Sequence, residues 1–117
     1  MHALIIEDDD DLIAIAIEEA LRECGFTSFH FAVSFDEAVA AARERCPRLI
    51  TADVELKPGS GIDAVQTICS DNPIPVIFIT GRLDAARSRM PRNPVLSKPF
   101  RSSEVESAVR EVMSKEW

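Results

Sequence analysis

No apolar run in the 117 residues approaches the ~20 that a helix needs to cross a bilayer. The N-terminus lacks the charged, then apolar, then small-residue pattern of a secretory signal, so secretion is not expected. Cysteine is scarce: Cys24, Cys46 and Cys69 are odd in number, far apart and without a C-x-x-C, which excludes a disulfide framework or a zinc site. Three reduced, packed thiols in a cytoplasmic protein are expected instead. Basic charge is also short. Thirteen Lys and Arg face twenty Asp and Glu, a formal charge of −7, which excludes a general nucleic-acid binder, and no helix-turn-helix pattern is present. Pro58-Gly59-Ser60-Gly61 has neither a G-K-[ST] ending nor a G-x-G-x-x-G, so it is not a phosphate-cradling loop. His2 and His30 match no ligand spacing. No repeat, low-complexity tract or linker divides the chain, and its length suits a single domain over 1–117. It is expected to stop where its last helix stops, with no appended output domain expected.

What is present is a regular alternation of strand and helix. Ala3-Leu4-Ile5-Ile6 is a continuous apolar run suited to a strand buried on both faces. Ile13, Ala16, Ile17, Ala20 and Leu21 then fall at helical spacing over 12–24, with Gly25 as a stop. A second strand over 28–33 carries Phe29 and Phe31. Ser34 with Glu37 forms a capping box before a helix carrying Ala38, Ala41, Ala42 and Cys46, which Pro47 ends. Leu49-Ile50-Thr51-Ala52 is the third strand, followed by a loop over 54–61. Ile62, Val65, Ile68 and Cys69 form a helical stripe closed by Asn72-Pro73. Val76-Ile77-Phe78-Ile79 is the fourth strand and Val95-Leu96 a short fifth. Between them, Leu83, Ala86 and Met90 are the only stripe. A final helix bears Val105, Ala108, Val109, Val112 and Met113, with Ser103 and Glu106 as its expected capping box. Strands separated by helices imply an α/β protein with a parallel sheet covered on both faces.

In such sheets ligands bind at the carboxyl ends of the strands. Those ends carry Glu7-Asp8, Asp53, Thr80 and Lys98, although the strands themselves are apolar. Carboxylates crowded together raise each other's pKa, and a divalent cation would relieve the repulsion. Oxygen ligands without nearby His or Cys point to Mg²⁺, or Mn²⁺ in its place. A carboxylate beside such an ion, with a hydroxyl and an ammonium converging on it, can accept a phosphoryl group as an acyl phosphate. Asp10 and Asp11 are expected to be only the acidic first turn of a helix, while Asp9 sits beside the metal pair.

The sequence resembles the receiver domain of two-component response regulators. The matching pieces are Leu4-Ile5-Ile6-Glu7-Asp8-Asp9, Thr51-Ala52-Asp53-Val54 with Pro58 and Gly61 behind it, Ile79-Thr80-Gly81, and Ser97-Lys98-Pro99-Phe100, in the right order. The resemblance implies a flavodoxin-like (βα)5 three-layer sandwich with strand order 2-1-3-4-5. It implies Asp53 as phosphoacceptor, with Thr80 as the hydroxyl that moves toward the phosphoryl group and Lys98 as its ion-pair partner. It further implies Glu7, Asp8, Asp53 and the backbone carbonyl of Glu55 as the Mg²⁺ site, and a cis Lys98-Pro99 bond. The implied partner is a histidine kinase or phosphotransfer protein. The protein would be a phosphoacceptor that catalyses its own phosphoryl transfer and slow hydrolysis, rather than an enzyme.

Two departures from the family stand out. The segment between Thr80 and Lys98 is short by roughly one helical turn and holds Pro91 and Pro94, so a short, displaced or partly disordered fourth helix is expected. The family's aromatic switch position on the fifth strand is Val95, so 82–94 is expected to be the switch itself. Glu55 and Arg82, two places after Asp53 and Thr80, are placed to pair over the site and slow water attack. Charge is divided: residues 1–63 hold fourteen acids and five bases, while 82–101 hold six bases and one acid. The basic stretch is the expected contact for a downstream protein partner, with no nucleic acid and no membrane, and a weak homodimer is left open. The alternatives are a pseudo-receiver scaffold, a phosphate sink or relay, and a flavodoxin-type cofactor binder, the last disfavoured by the acidic loop after the first strand.

Overall fold

The apolar runs become five parallel strands: β1 (His2–Ile6), β2 (Ser28–Ala32), β3 (Leu49–Ala52), β4 (Val76–Thr80) and β5 (Val95–Ser97). They lie in the order β2-β1-β3-β4-β5. The structure is a computed structural model and describes residues 1–7, 11–56, 59–70 and 72–114. Five helices alternate with the strands: α1 (Asp11–Glu23), α2 (Phe35–Glu44), α3 (Gly61–Ile68), α4 (Leu83–Arg89) and α5 (Ser102–Met113). This is the flavodoxin-like sandwich that the strand-helix alternation and the family resemblance imply.

Because side chains alternate across a strand, each strand feeds both cores. Leu4, Ile6, Ile50, Ala52 and Phe78 pack with α2, α3 and Ala86 of α4 on one face. Ala3, Ile5, Leu49, Ile77 and Ile79 pack with α1 and α5 on the other. In register, Ala3 faces Leu49 while His2 faces Ser28, so β1 is flanked by β2 and β3. That is where strand order reverses, the place at which open α/β sheets bind ligands.

Helix starts follow local chemistry. Ser34 Oγ accepts from Glu37 N at 3.2 Å, and Ser60 Oγ from Ile62 N at 3.1 Å, each satisfying an orphan amide of the first turn. At α5 the expected box is displaced. Arg101 is the N-cap, Ser103 lies inside the helix, and it is Glu104 Oε1 that accepts from Arg101 N at 2.8 Å. Ala16 is exposed, although its spacing placed it on the buried stripe of α1. Cys24 and Cys69 are half-buried, but Cys46 is an exposed free thiol, correcting the expectation of three packed ones. It lies two residues past the end of α2, beyond the reach of that helix's buried stripe.

The fourth helix is short, as expected, but it is a formed helix of 7 residues rather than a disordered stretch. Ala86 is its buried residue, with Ala85 and Met90 packed against the same core. Arg82 supplies no side-chain cap. The helix is tied instead by Arg89, whose Nη2 donates to Asp63 Oδ1 at 2.9 Å and Gln66 Oε1 at 3.2 Å on α3. Val95, in the switch position, packs partly buried against the core and pairs with Phe78.

Candidate functional site

The residues after β1, β3 and β5 meet in one cluster of Glu7, Asp53 and Lys98, with Thr80 at the end of the intervening β4. Glu7 follows β1, its amide held by Ala32 O at 3.0 Å, and Asp53 follows β3, its amide held by Ile6 O at 3.0 Å. Neighbouring strands therefore fix the backbone of both carboxylates. Glu7 is 6% exposed, Asp53 3% and Thr80 0%. Polar groups this buried need partners. Lys98 supplies one to both acids: its Nζ donates to Glu7 Oε2 at 2.8 Å and to Asp53 Oδ2 at 2.7 Å. The Lys98-Pro99 peptide is cis, as expected.

Burial alone would lower the Lys98 pKa, but the hydrogen bonds and charges of Asp53 and Glu7 together outweigh it and raise the pKa above its ordinary value. The lysine is therefore an ammonium at neutral pH. One cation between two carboxylates leaves the pocket net negative, and its donors are hard oxygens, which fits a Mg²⁺-type ion. Asp8, Asp9 and Asp10 lie outside the described residues, as do Pro58 and Trp117. Among the described residues no group of three His, Cys, Asp or Glu gathers as a metal site.

Thr80 Oγ1 accepts from Arg82 N at 2.9 Å, a local turn that holds the hydroxyl at the end of β4. Glu55 N donates to Asp53 Oδ1 at 3.4 Å. The expected pairing of Glu55 with Arg82 is present, with Arg82 Nη1 2.6 Å from Glu55 Oε1. Beyond β3 an isolated antiparallel bridge joins Glu55 and Ser60. His2, given no role from its spacing, is buried at the opposite end of β1, with Nδ1 2.8 Å from Ser28 Oγ. Only its apolar flank, which is common to any buried strand, could have signalled this.

The basic stretch 82–101 is partly neutralised within the fold. Arg82 pairs with Glu55, Arg89 with Asp63, and Lys98 with Glu7 and Asp53. Arg87, Arg92 and Arg101 remain exposed.

The response regulator receiver domain model matches residues 3–110, and this chain belongs to that family. The "Phyllosphere-induced regulator PhyR" of Methylorubrum extorquens is 32% identical over 114 residues, covering 94% of this chain and 43% of that protein. Among solved structures, the response regulator PhyR from Brucella abortus superposes with a TM-score of 0.86 at 35% identity, covering 97% of this chain and 47% of that one. The receiver domain of PhyR from Erythrobacter litoralis gives a TM-score of 0.84 at 28% identity, covering 97% of this chain and 91% of that one. The chain thus spans about half the length of the full PhyR proteins it matches. No helix of the described residues is long and apolar enough to cross a membrane.

Proposed function

We propose that the chain works as a single receiver domain over 1–117 that takes a phosphoryl group on Asp53 from a histidine kinase or phosphotransfer protein. The observation that carries this is the Lys98 ammonium shared between two buried carboxylates at the switch point of the sheet. The Asp53 carboxylate attacks the phosphorus of a phosphohistidine. A phosphorus–oxygen bond forms, the phosphorus–nitrogen bond breaks, and the imidazole leaves. Glu7, Asp8, Asp53 and the Glu55 backbone carbonyl would hold Mg²⁺ (or Mn²⁺), which supplies positive charge for the equatorial oxygens of the transferring group. Lys98 donates hydrogen bonds to the same developing charge. Thr80 donates its hydroxyl hydrogen to the phosphoryl group.

Output goes to a downstream protein partner with an acidic surface, through Arg87, Arg92 and Arg101 of the 82–101 stretch. A cytoplasmic location follows from a cytoplasmic phosphodonor. Acetyl phosphate with Mg²⁺, read by intact mass, tests the core of this. A gain of one phosphoryl group that disappears in Asp53→Asn is expected. No gain in the wild type, or an undiminished gain in the variant, would overturn it.

A further inference from the structure

Two of the three thiols sit at one place in the fold. Cys46 lies two residues beyond α2, and Cys69 is the C-cap of α3. Cys46 lines a cavity of about 280 Å³ whose walls include Ile68, Ser70, Asn72 and Ile74. Cys69 comes between the first two of these in sequence, and its Sγ donates to Ile74 O at 3.8 Å. Asn72 Nδ2 donates to Cys46 Sγ at 3.0 Å. Asn72 and Ile74, two positions apart, therefore hold one sulfur each. Cys24 packs on the other face of the sheet, against the core that α1 and α5 share, while Cys69 packs against the core of α2 and α3. The whole length of β3 separates Cys46 from Asp53, so the phosphoryl chemistry uses neither thiol.

The two sulfurs differ in access. Cys46 is exposed and Cys69 half-buried. Burial pushes the Cys69 thiol up, against its hydrogen bond to Ile74 O, and the nearby Cys46 charge pushes it the same way. A small oxidant in solution therefore meets Cys46 first, with a sheltered, protonated thiol close behind it. We propose that Cys46 and Cys69 form a redox modification site, at which a hydroperoxide oxidises Cys46 and Cys69 then closes a disulfide. The Cys46 sulfur attacks one peroxide oxygen. A sulfur–oxygen bond forms, the oxygen–oxygen bond breaks, and the departing oxygen leaves as water with the Cys46 proton. Cys69 Sγ then attacks the resulting sulfenic acid. The sulfur–sulfur bond forms, the sulfur–oxygen bond breaks, and the hydroxyl leaves as water with the Cys69 proton. Two thiols supply the two electrons that one peroxide takes up. The bond ties the residue past α2 to the end of α3, and a thiol reductant reopens it.

The test treats dilute, reduced protein with hydrogen peroxide and reads intact mass without reductant. The wild type should lose about 2 Da, the two thiol hydrogens, and dithiothreitol should restore them. Non-reducing proteolysis should recover the Cys46 peptide joined to the Cys69 peptide. Cys24→Ser should behave as the wild type, and Cys46→Ser should show no loss. In Cys69→Ala the sulfenic acid has no partner, so dimedone should cap it at Cys46. Thermal midpoints taken before oxidation check that the variants are folded. If Cys69→Ala is not, the wild-type peptide map decides alone. Oxidation of Cys46 onward by about 32 Da, with Cys69 still open to alkylation, would overturn the proposal. So would a disulfide that joins two copies through Cys46, or one that includes Cys24.

Discussion

A Cβ placed on Gly61 would stand 1.6 Å from the carbonyl oxygen of Asp53 and 2.8 Å from its carbonyl carbon. Gly61 N donates to Val54 O at 2.8 Å, so the start of α3 is drawn hard against the strand end that carries the acceptor. The neighbour here is backbone and cannot swing aside. Gly61→Ala should destabilise the fold by about 2 kcal/mol or more, read as a lower urea midpoint. It should also displace Asp53, so that phosphoryl uptake falls further than stability alone would explain.

Lys98 is the sole cation bonded to both Glu7 and Asp53 among the described residues. Removing one partner of a buried ionic cluster leaves like charges facing each other. Lys98→Met should cost about 2–4 kcal/mol at neutral pH, and the cost should shrink when Asp53→Asn is added. A double-mutant cycle by urea unfolding measures the difference. Because the folded-state pKa of Lys98 is raised above 10.5, this contribution is fully present below that pH. It is lost only as alkaline pH climbs through the folded value.

The hydroxyl of Thr51 is buried in the middle of β3 with no hydrogen-bond partner among the described residues. An unmet buried hydroxyl carries a desolvation penalty, and valine fills the same shape without it. Thr51→Val should stabilise the protein by about 1 kcal/mol, seen as a higher urea midpoint with an unchanged slope.

His2 has its pKa lowered, first by burial and then by the positive charges of Arg45, His30 and the N-terminus, against a hydrogen bond to the Ser28 backbone that raises it. The folded state therefore favours neutral imidazole, while the unfolded chain takes up a proton near pH 6.5. The unfolded state binds more protons as pH falls, so stability contributed by neutral His2 is lost below that value. Denaturant midpoints should drop between pH 7.5 and 5.5 in the wild type, and less in His2→Gln.

The fold was legible because β1 and β4 are carried by continuous apolar runs, with shorter ones in β3 and β5, and helical stripes fall between them. The chemistry-bearing residues Glu7, Asp53, Thr80 and Lys98 each sit one step beyond such a run or at its end, so topology alone brings them together. The start of α5 was less legible. Ser102, Ser103, Glu104 and Glu106 offer two overlapping cap patterns, and the choice is made by where the chain leaves β5 after Pro99. The exposure of Cys46 was hidden for a similar reason: helical periodicity says nothing about a residue beyond the last turn. The two partners of Arg89 on α3 had no sequence signal, since Asp63 and Gln66 lie 26 and 23 positions away.

The way α4 is held divides the molecule into two regimes. A helix of 7 residues is too short to persist by itself, and this one keeps its place through Arg89 and the small apolar contact of Ala85, Ala86 and Met90. Its opening free energy should lie well below that of the sheet, so its amides should exchange by a separate local unfolding event. Ionic strength then becomes a selective control: raising it should speed exchange across 83–89 while amides of β1 and β3 hold their rates.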